Sequence, residues 1–161
     1  MDYKSTERGM RWNMKRFTSI LIIIVALSVI AAGCGTQKAN TTFNKKNQPL
    51  PDYVLNSSSK VQETYIMASN YPKVLSQVPC FCGCTADGHK SNLNCFIGKM
   101  GPNNTVESWD QHGKSWDTCV NIARDAIQMN QDGKSPKEIY DLVTEKYGNL
   151  GEGTPTPEPN K

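Results

Sequence analysis

Residues 116–148 read WDTCVNIARDAIQMNQDGKSPKEIYDLVTEKYG, and this stretch decides the fold class. Apolar side chains recur three, four, seven and eleven residues after Trp116, which is the spacing of an amphipathic helix ending near Gly133. Ser135 is followed three residues later by a glutamate, the pattern of a capping box at a helix N-terminus. The apolar stripe after it closes at Gly148. The sequence therefore predicts two consecutive helices.

Helical spacing also marks the part of the chain that precedes this pair. Ser59 begins a predicted helix in which Val61 and Tyr65 share a face, and a shorter helix is expected over residues 89–99 with Leu93 and Phe96 facing inward. No stretch has the convincing alternation of a strand. We therefore expect an all-α fold class, a small helical bundle with one irregular Cys-rich loop.

Composition divides the chain into four parts. Residues 1–33 are expected to be a signal peptide, and residues 34–49, rich in Lys, Asn, Thr and Gln, a flexible tether. Residues 50–150 are expected to form the helical domain. Residues 151–161, in which Pro and Gly are frequent, are predicted to be a disordered tail.

The N-terminal segment has the pattern of an export signal. An uncharged apolar run at residues 17–32 follows Lys15 and Arg16 and ends in small residues before Cys34. This ending resembles the bacterial lipobox, which implies a lipid, palmitate included, on Cys34 and an anchor at the outer face of the cell membrane. An uncleaved anchor with an ordinary cysteine is the alternative. Either arrangement places the body of the protein outside the cytoplasm.

The charge distribution excludes a nucleic-acid partner. The formal charge of +3 arises before residue 34, and from Cys34 onward thirteen basic residues face thirteen acidic ones. Binding to DNA or RNA depends on neutralising phosphates, so a neutral body without a basic stripe does not fit that class.

Three cysteines fall within five residues in the segment PCFCGC, residues 79–84. Thiolates are soft ligands suited to Cu(I), zinc or iron–sulfur clusters, and imidazole suits copper and zinc. The spacing matches neither a standard zinc finger nor a ferredoxin. Copper is our first choice of metal and zinc the second. The candidate metal ligands are Cys80, Cys82, Cys84, His89, Cys95, His112 and Cys119.

Two other fates for these thiols stay open at this point. Exported domains of this size often carry disulfides, and bridges from the loop to Cys95 and Cys119 would pin it to the helices. Five thiols leave one unpaired, however, and a bridge between Cys80 and Cys82 would close a strained ring. Thiol–disulfide redox chemistry is the other alternative.

The Cys-rich segment resembles the signature of the PCYCGC-motif lipoproteins of Gram-positive bacteria, with Phe81 in place of the tyrosine. The lipobox-like ending, the run at residues 75–78, His89 and Cys95 are also similar to that family. The likeness covers residues 50–148. It implies a surface location and metal or thiol chemistry, but no particular reaction.

A weaker likeness concerns residues 119–148, which look like the helical hairpin of the thiol-reductase subunit of cytochrome c maturation. That domain carries a CxxC at the start of its helix, whereas this chain keeps only the second cysteine, Cys119. One thiol cannot form the internal disulfide of the exchange cycle. The likeness is therefore taken as one of fold.

These observations together predict a non-enzymatic, metal-binding lipoprotein outside the cytoplasm. Its partners would be the membrane, through the lipid on Cys34, and a membrane protein that donates or receives the metal. A thiol–disulfide protein that assists metalloenzyme assembly is the alternative. A structural or interaction domain stabilised by disulfides is the second alternative.

Overall fold

The computed structural model of the protein describes residues 42–44 and 46–160. The predicted signal peptide, Cys34 and the first part of the tether lie outside the described residues. Within the part that is described, every helix is too short or too polar to cross a membrane.

The fold is mainly helical, with one small sheet. In chain order its elements are α1 (Asp52–Leu55), α2 (Ser59–Asn70), α3 (Pro72–Ser76), β1 (Ile97–Met100), β2 (Val106–Trp109), α4 (His112–Ser115), α5 (Asp117–Gln131) and α6 (Pro136–Tyr147). Short 3₁₀ turns lie at Cys84–Asp87, Asn92–Cys95, Pro102–Asn104 and Gly148–Leu150.

The pair of helices predicted from residues 116–148 is confirmed as α5 and α6. The capping box forms as expected: the Glu138 backbone N–H donates to Ser135 Oγ at 3.3 Å, and the Ser135 N–H donates to Glu138 Oε2 at 2.8 Å. Gly133 ends the turn after α5 with φ +84°, a left-handed conformation that favours glycine. The sequence thus specifies both ends of the loop between the helices.

The sheet corrects the prediction of a purely helical fold. β1 and β2 pair antiparallel, with Ile97 opposite Trp109, Lys99 opposite Ser108 and Met100 opposite Val106, and the register is irregular between these pairs. Each strand has only four residues, too few for the alternation of buried and exposed side chains to stand out in the sequence.

The short helix expected over residues 89–99 is also wrong. A 3₁₀ turn forms at Asn92–Cys95, and the chain then enters β1. Phe96 is buried as predicted, whereas Leu93 is only partly buried. Since Phe96 accepts a backbone hydrogen bond from Asp110 N–H at 2.9 Å, pairing with the end of β2 replaces the next helical turn.

Helix α5 lies at the centre of the helical part and packs against α2, α3, α4 and α6. The core next to the sheet is aromatic: the Tyr65 and Phe96 rings meet edge-on, 5.2 Å between centroids and 82° between planes. The Tyr65 hydroxyl donates to the Asp110 carbonyl oxygen at 2.7 Å. This bond fixes the end of β2 against α2.

Both ends of the described chain are more ordered than composition predicts. In the predicted tether, Gln48 N–H donates to the Val106 carbonyl at 3.0 Å, and Asn47 Oδ1 accepts from Val106 N–H at 2.9 Å. In the predicted disordered tail, Thr154 and Thr156 are buried and hydrogen-bonded to the domain. Large apolar residues are scarce in both segments, with Phe43 the exception, and polar contacts hold these parts of the chain to the domain.

Candidate metal centre

The three cysteines of the PCFCGC segment lie on a loop whose path is set by two glycines. Gly83 and Gly88 both have φ +80°, and they flank the 3₁₀ turn Cys84–Asp87. In this left-handed region a side chain would clash with the backbone, so glycine is favoured. The loop therefore curls around a point, which turns the sulfurs toward a common centre.

Hydrogen bonds from the C-terminal tail hold this loop in place. The Cys80 N–H donates to Thr154 Oγ1 at 2.9 Å, and the Thr154 N–H donates to the Cys80 carbonyl at 2.9 Å. The Thr156 hydroxyl donates to the Lys90 carbonyl at 2.6 Å. The tail thus pairs with both ends of the Cys-bearing loop.

Four sulfur atoms meet inside this frame. Those of Cys80, Cys82, Cys84 and Cys95 all lie within 4.8 Å of one another. Cys95 Sγ is 3.5 Å from Cys80 Sγ, 3.8 Å from Cys84 Sγ and 4.0 Å from Cys82 Sγ. Cys80 Sγ and Cys82 Sγ are 3.3 Å apart. In a tetrahedral site with metal–sulfur bonds of about 2.3 Å, the sulfurs stand about 3.8 Å apart. The four sulfurs therefore fit a single metal ion.

A fifth sulfur stands beside this group. Cys119, in the first turn of α5, places its Sγ 3.6 Å from Cys80 Sγ. The Asn92 side-chain amide donates to the Cys119 carbonyl at 3.2 Å, and the Asn92 N–H donates to the Val78 carbonyl at 2.8 Å. Asn92 thus joins the helix to the start of the loop.

The five cysteines described are free thiols. The nearest pair is 3.3 Å apart, far longer than the roughly 2.05 Å of a disulfide bond. The disulfide bridges considered from the sequence are therefore not formed in this structure.

Protonation is unevenly shared within the group. The pKa of the Cys82 thiol is lowered well below its usual range, because neighbouring thiols, Cys119 first among them, hydrogen-bond to its sulfur. The pKa values of Cys80 and Cys95 are raised, with hydrogen bonding to Cys119 the largest cause in both. Hydrogen bonding to Cys80 raises the pKa of Cys84 to about 12. Cys82 is therefore the thiol of this group that loses its proton most readily.

Burial distinguishes the same residue. The side chains of Cys80, Cys84, Cys95 and Cys119 are buried, whereas Cys82 is only partly buried. The thiol that loses its proton most readily is therefore also the one that solvent reaches, so an ion entering from solvent would meet Cys82 first.

The two candidate histidines are placed differently from each other. His89 is buried, and its Nδ1 lies 3.8 Å from Cys95 Sγ, at the edge of the sulfur group. His112 lies apart from the sulfurs: its Nδ1 is 2.7 Å from Asp110 Oδ1 and its Nε2 is 3.2 Å from Asp87 Oδ2. Burial acts to lower the pKa of His112, but the nearby carboxylates, Asp110 above all, outweigh burial and raise it.

Sequence reasoning missed Asp110 and Thr154. Asp110 precedes His112 by two residues, but an isolated aspartate after an unrecognised strand gives no signal of its own. Thr154 lies in a Pro-rich segment whose composition predicts disorder. Neither residue belongs to a motif that would have singled it out.

A comparison with known families bears on the same region. The model of a family described as "Protein of unknown function with PCYCGC motif" matches residues 22–160. No curated protein and no solved structure matches the chain. The weaker likeness of residues 119–148 to a thiol reductase therefore stays a prediction.

Proposed function

The chain belongs to the PCYCGC family, and from that premise we propose that it is a lipid-anchored protein that binds a soft metal ion outside the cytoplasm. Copper is the first choice and zinc the second, and the role is to sequester the ion or to deliver it to a membrane protein. One observation carries the proposal: the sulfurs of Cys80, Cys82, Cys84 and Cys95 lie within 4.8 Å of one another.

The type of ligand, rather than the number of sulfurs, is the ground for placing copper first. A structural zinc site is closed by four ligands, which the four clustered cysteines would supply. Cys119 adds a fifth sulfur 3.6 Å from Cys80, which is one more than a single tetrahedral ion of either metal binds. Thiolates are the preferred ligands of Cu(I), and an all-sulfur environment also excludes the harder ions that prefer oxygen.

The burial pattern suits capture and release. Three of the four sulfurs are buried, so a bound ion would be shielded from water and from other thiols. Because Cys82 is more exposed, a partner thiol can approach the ion on that side. Exchange through one exposed thiolate would let the ion pass without unfolding the loop.

The anchor is supported by the sequence alone. Residues 17–32 have the pattern of an export signal, and the residues before Cys34 resemble a lipobox. A diacylated cysteine would hold the domain stably at the outer face of the membrane, where the ion would be exchanged with a membrane partner.

Two matched variants test the two halves of the proposal. The protein is purified anaerobically from membranes. We expect Cys82→Ser to lower metal affinity by more than the roughly 10–100-fold that loss of an outer-shell partner costs, and therefore to retain less metal than the wild type. Cys34→Ser serves as the matched control, since it should abolish metabolic labelling with palmitate and leave metal content unchanged. Elemental analysis and a free-thiol assay provide the readouts.

A metal-free wild-type protein, or equal metal content in wild type and Cys82→Ser, would contradict metal binding at this site. Palmitate labelling that persists in Cys34→Ser would contradict the lipid anchor. The two failures are independent, so either half can be rejected alone.

A thiol–disulfide role is the second candidate, and one observation favours it. Cys82, whose pKa is lowered, has its Sγ 3.3 Å from Cys80 Sγ, and the strained ring that a bridge between them would close makes such a disulfide easy to reduce. In such a role the two thiols would become a disulfide while a partner's disulfide is reduced to two thiols. A metal-free protein that loses two thiols on mild oxidation and regains them on mild reduction would support this role.

A further inference from the structure

Three potential ligand groups meet next to the sulfur cluster but outside it. His89, Asp110 and His112 each offer one ligand atom, and these atoms all lie within 4.8 Å of one another. His89 Nε2 is 3.7 Å from Asp110 Oδ2, and His112 Nδ1 is 2.7 Å from Asp110 Oδ1. The two imidazole rings meet edge-on, with 4.6 Å between centroids and 74° between planes.

Three parts of the chain bring these groups together. His89 follows Gly88 at the end of the Cys-bearing loop, and its N–H donates to the Cys84 carbonyl at 3.4 Å. Asp110 follows β2, where its carbonyl accepts a hydrogen bond from the Tyr65 hydroxyl and its N–H donates one to the Phe96 carbonyl. His112 begins α4, and its N–H donates to Asp110 Oδ1 at 2.9 Å. The site is thus built on core contacts.

We propose that His89, Asp110 and His112 form a second metal site, separate from the thiolate centre, for a borderline divalent ion such as Zn²⁺ or Cu²⁺. Two imidazoles and one carboxylate are a donor set that zinc accepts with a fourth position left open. Imidazole suits copper as well, whereas the softer Cu(I) prefers the neighbouring sulfurs.

The distances suit such an ion. Two donors about 2.1 Å from a tetrahedral ion stand about 3.4 Å apart. His89 Nε2 and Asp110 Oδ2 are close to this separation at 3.7 Å. The contact between His112 Nδ1 and Asp110 Oδ1 is shorter because it is a hydrogen bond. A bound ion would take the place of the proton that these two atoms share. In the metal-free protein the Asp110 carboxylate orients the His112 ring through this hydrogen bond.

Access and charge also suit it. Asp110 and His112 have 24% and 23% of their side chains exposed, so the site opens to solvent while His89, at 8%, forms its floor. Asp87, 56% exposed and 3.2 Å from His112 Nε2, adds a second negative charge at the rim. Two carboxylates would attract a cation to this opening.

His89 lies between the two centres. Its Nδ1 faces Cys95 Sγ at 3.8 Å, while its Nε2 faces Asp110. The second site uses Nε2, so it does not depend on metal being bound by the sulfurs. The second site therefore goes beyond the proposed function and can exist whether or not the sulfurs bind metal.

Cobalt(II) provides a probe that separates the two sites, because thiolate ligands give a charge-transfer band that nitrogen and oxygen ligands do not. The full-length protein is purified anaerobically in detergent and loaded with Co²⁺. We expect each chain to bind one more cobalt ion than the number of thiolate-bound ions calculated from the intensity of the charge-transfer band. Asp110→Asn and His112→Gln should each lose this one ion with the band unchanged. Asp141→Asn, which changes an exposed aspartate on α6, serves as the matched control and should retain the same number of cobalt ions as the wild type.

A second measurement uses the unmodified protein, so that it does not depend on the folding of a variant. The chain has two histidines, and their ring proton resonances can be followed by NMR during the titration. Once the charge-transfer band has reached its maximum, we expect the next cobalt ion to shift the ring resonances of both histidines further.

Unchanged cobalt content in both variants, or a His112 resonance that does not shift, would overturn the second site. So would a charge-transfer band that weakens in His112→Gln, because His112 would then serve the sulfur centre. Absence of the band in wild type, with one cobalt ion still lost in both variants, would instead refute the proposed thiolate centre and leave the second site intact.

Discussion

Thr154 holds the start of the Cys-bearing loop with two hydrogen bonds to Cys80. Its hydroxyl accepts from the buried Cys80 N–H, and its own N–H donates to the Cys80 carbonyl. Thr154→Val keeps the shape and removes the acceptor, which leaves a buried donor unsatisfied. We expect a loss of about 1–3 kcal/mol in the free energy of unfolding, measured by urea denaturation of the metal-free protein.

Thr144→Val is the control for this prediction, because Thr144 is exposed on α6. It should change the free energy of unfolding by less than about 0.5 kcal/mol. Equal effects of the two substitutions would mean that the tail does not hold the loop.

Single residues were predictable from the sequence where their chemistry is distinctive. Three cysteines within five residues point to a soft-ligand site wherever the fold places them. The contacts that give Asp110 and Thr154 their roles include partners far away in the chain, His89 for Asp110 and Cys80 for Thr154. Their residue types are common on any surface, so no local pattern identifies them.

Among the elements, the short helix α4 is positioned by close contact with the residues before β1. A Cβ atom on Gly113 would lie 2.5 Å from the Phe96 ring and 3.0 Å from the Cys95 carbonyl. We expect Gly113→Ala to lower the free energy of unfolding by about 1–3 kcal/mol, because the core has no room for the methyl group. Thermal unfolding followed by circular dichroism measures the effect.

Ser115→Ala, in the same helix at an exposed position, is the comparison for Gly113→Ala. It should leave the unfolding temperature nearly unchanged. An unfolding temperature of Gly113→Ala that equals the wild-type value would show that α4 can move away from Phe96 freely.

The elements were predictable from the sequence where local signals agree. In α5 and α6 the apolar period, the capping box at Ser135 and the glycine after α5 all point to the same helices. Between Ser91 and Trp109 such agreement is lacking. Leu93 and Phe96 have helical spacing, but pairing of β1 with β2 is a contact between distant residues, and it overrides the local preference.

At the scale of the whole molecule, metal binding should be linked to pH. Cys80, Cys84 and Cys95 have raised pKa values, which favour the protonated thiol near neutral pH, whereas the pKa of Cys82 is lowered. A metal bound by all four sulfurs must displace these protons. Apparent affinity should therefore rise with pH, by roughly tenfold per pH unit for each proton released.

Competition with a chelator of known affinity, between about pH 6 and pH 8, measures this dependence. Proton release on zinc addition to a weakly buffered solution gives the number of protons independently. Affinity that does not change with pH, together with no proton release, would contradict ligation by these thiols.

Metal-edge X-ray absorption of the full-length protein, isolated anaerobically with its native metal, tests the central claim most directly. The account predicts a shell of sulfur atoms about 2.3 Å from the metal, supplied by the four clustered cysteines. A shell of nitrogen and oxygen alone, or a protein that retains no metal, would contradict it.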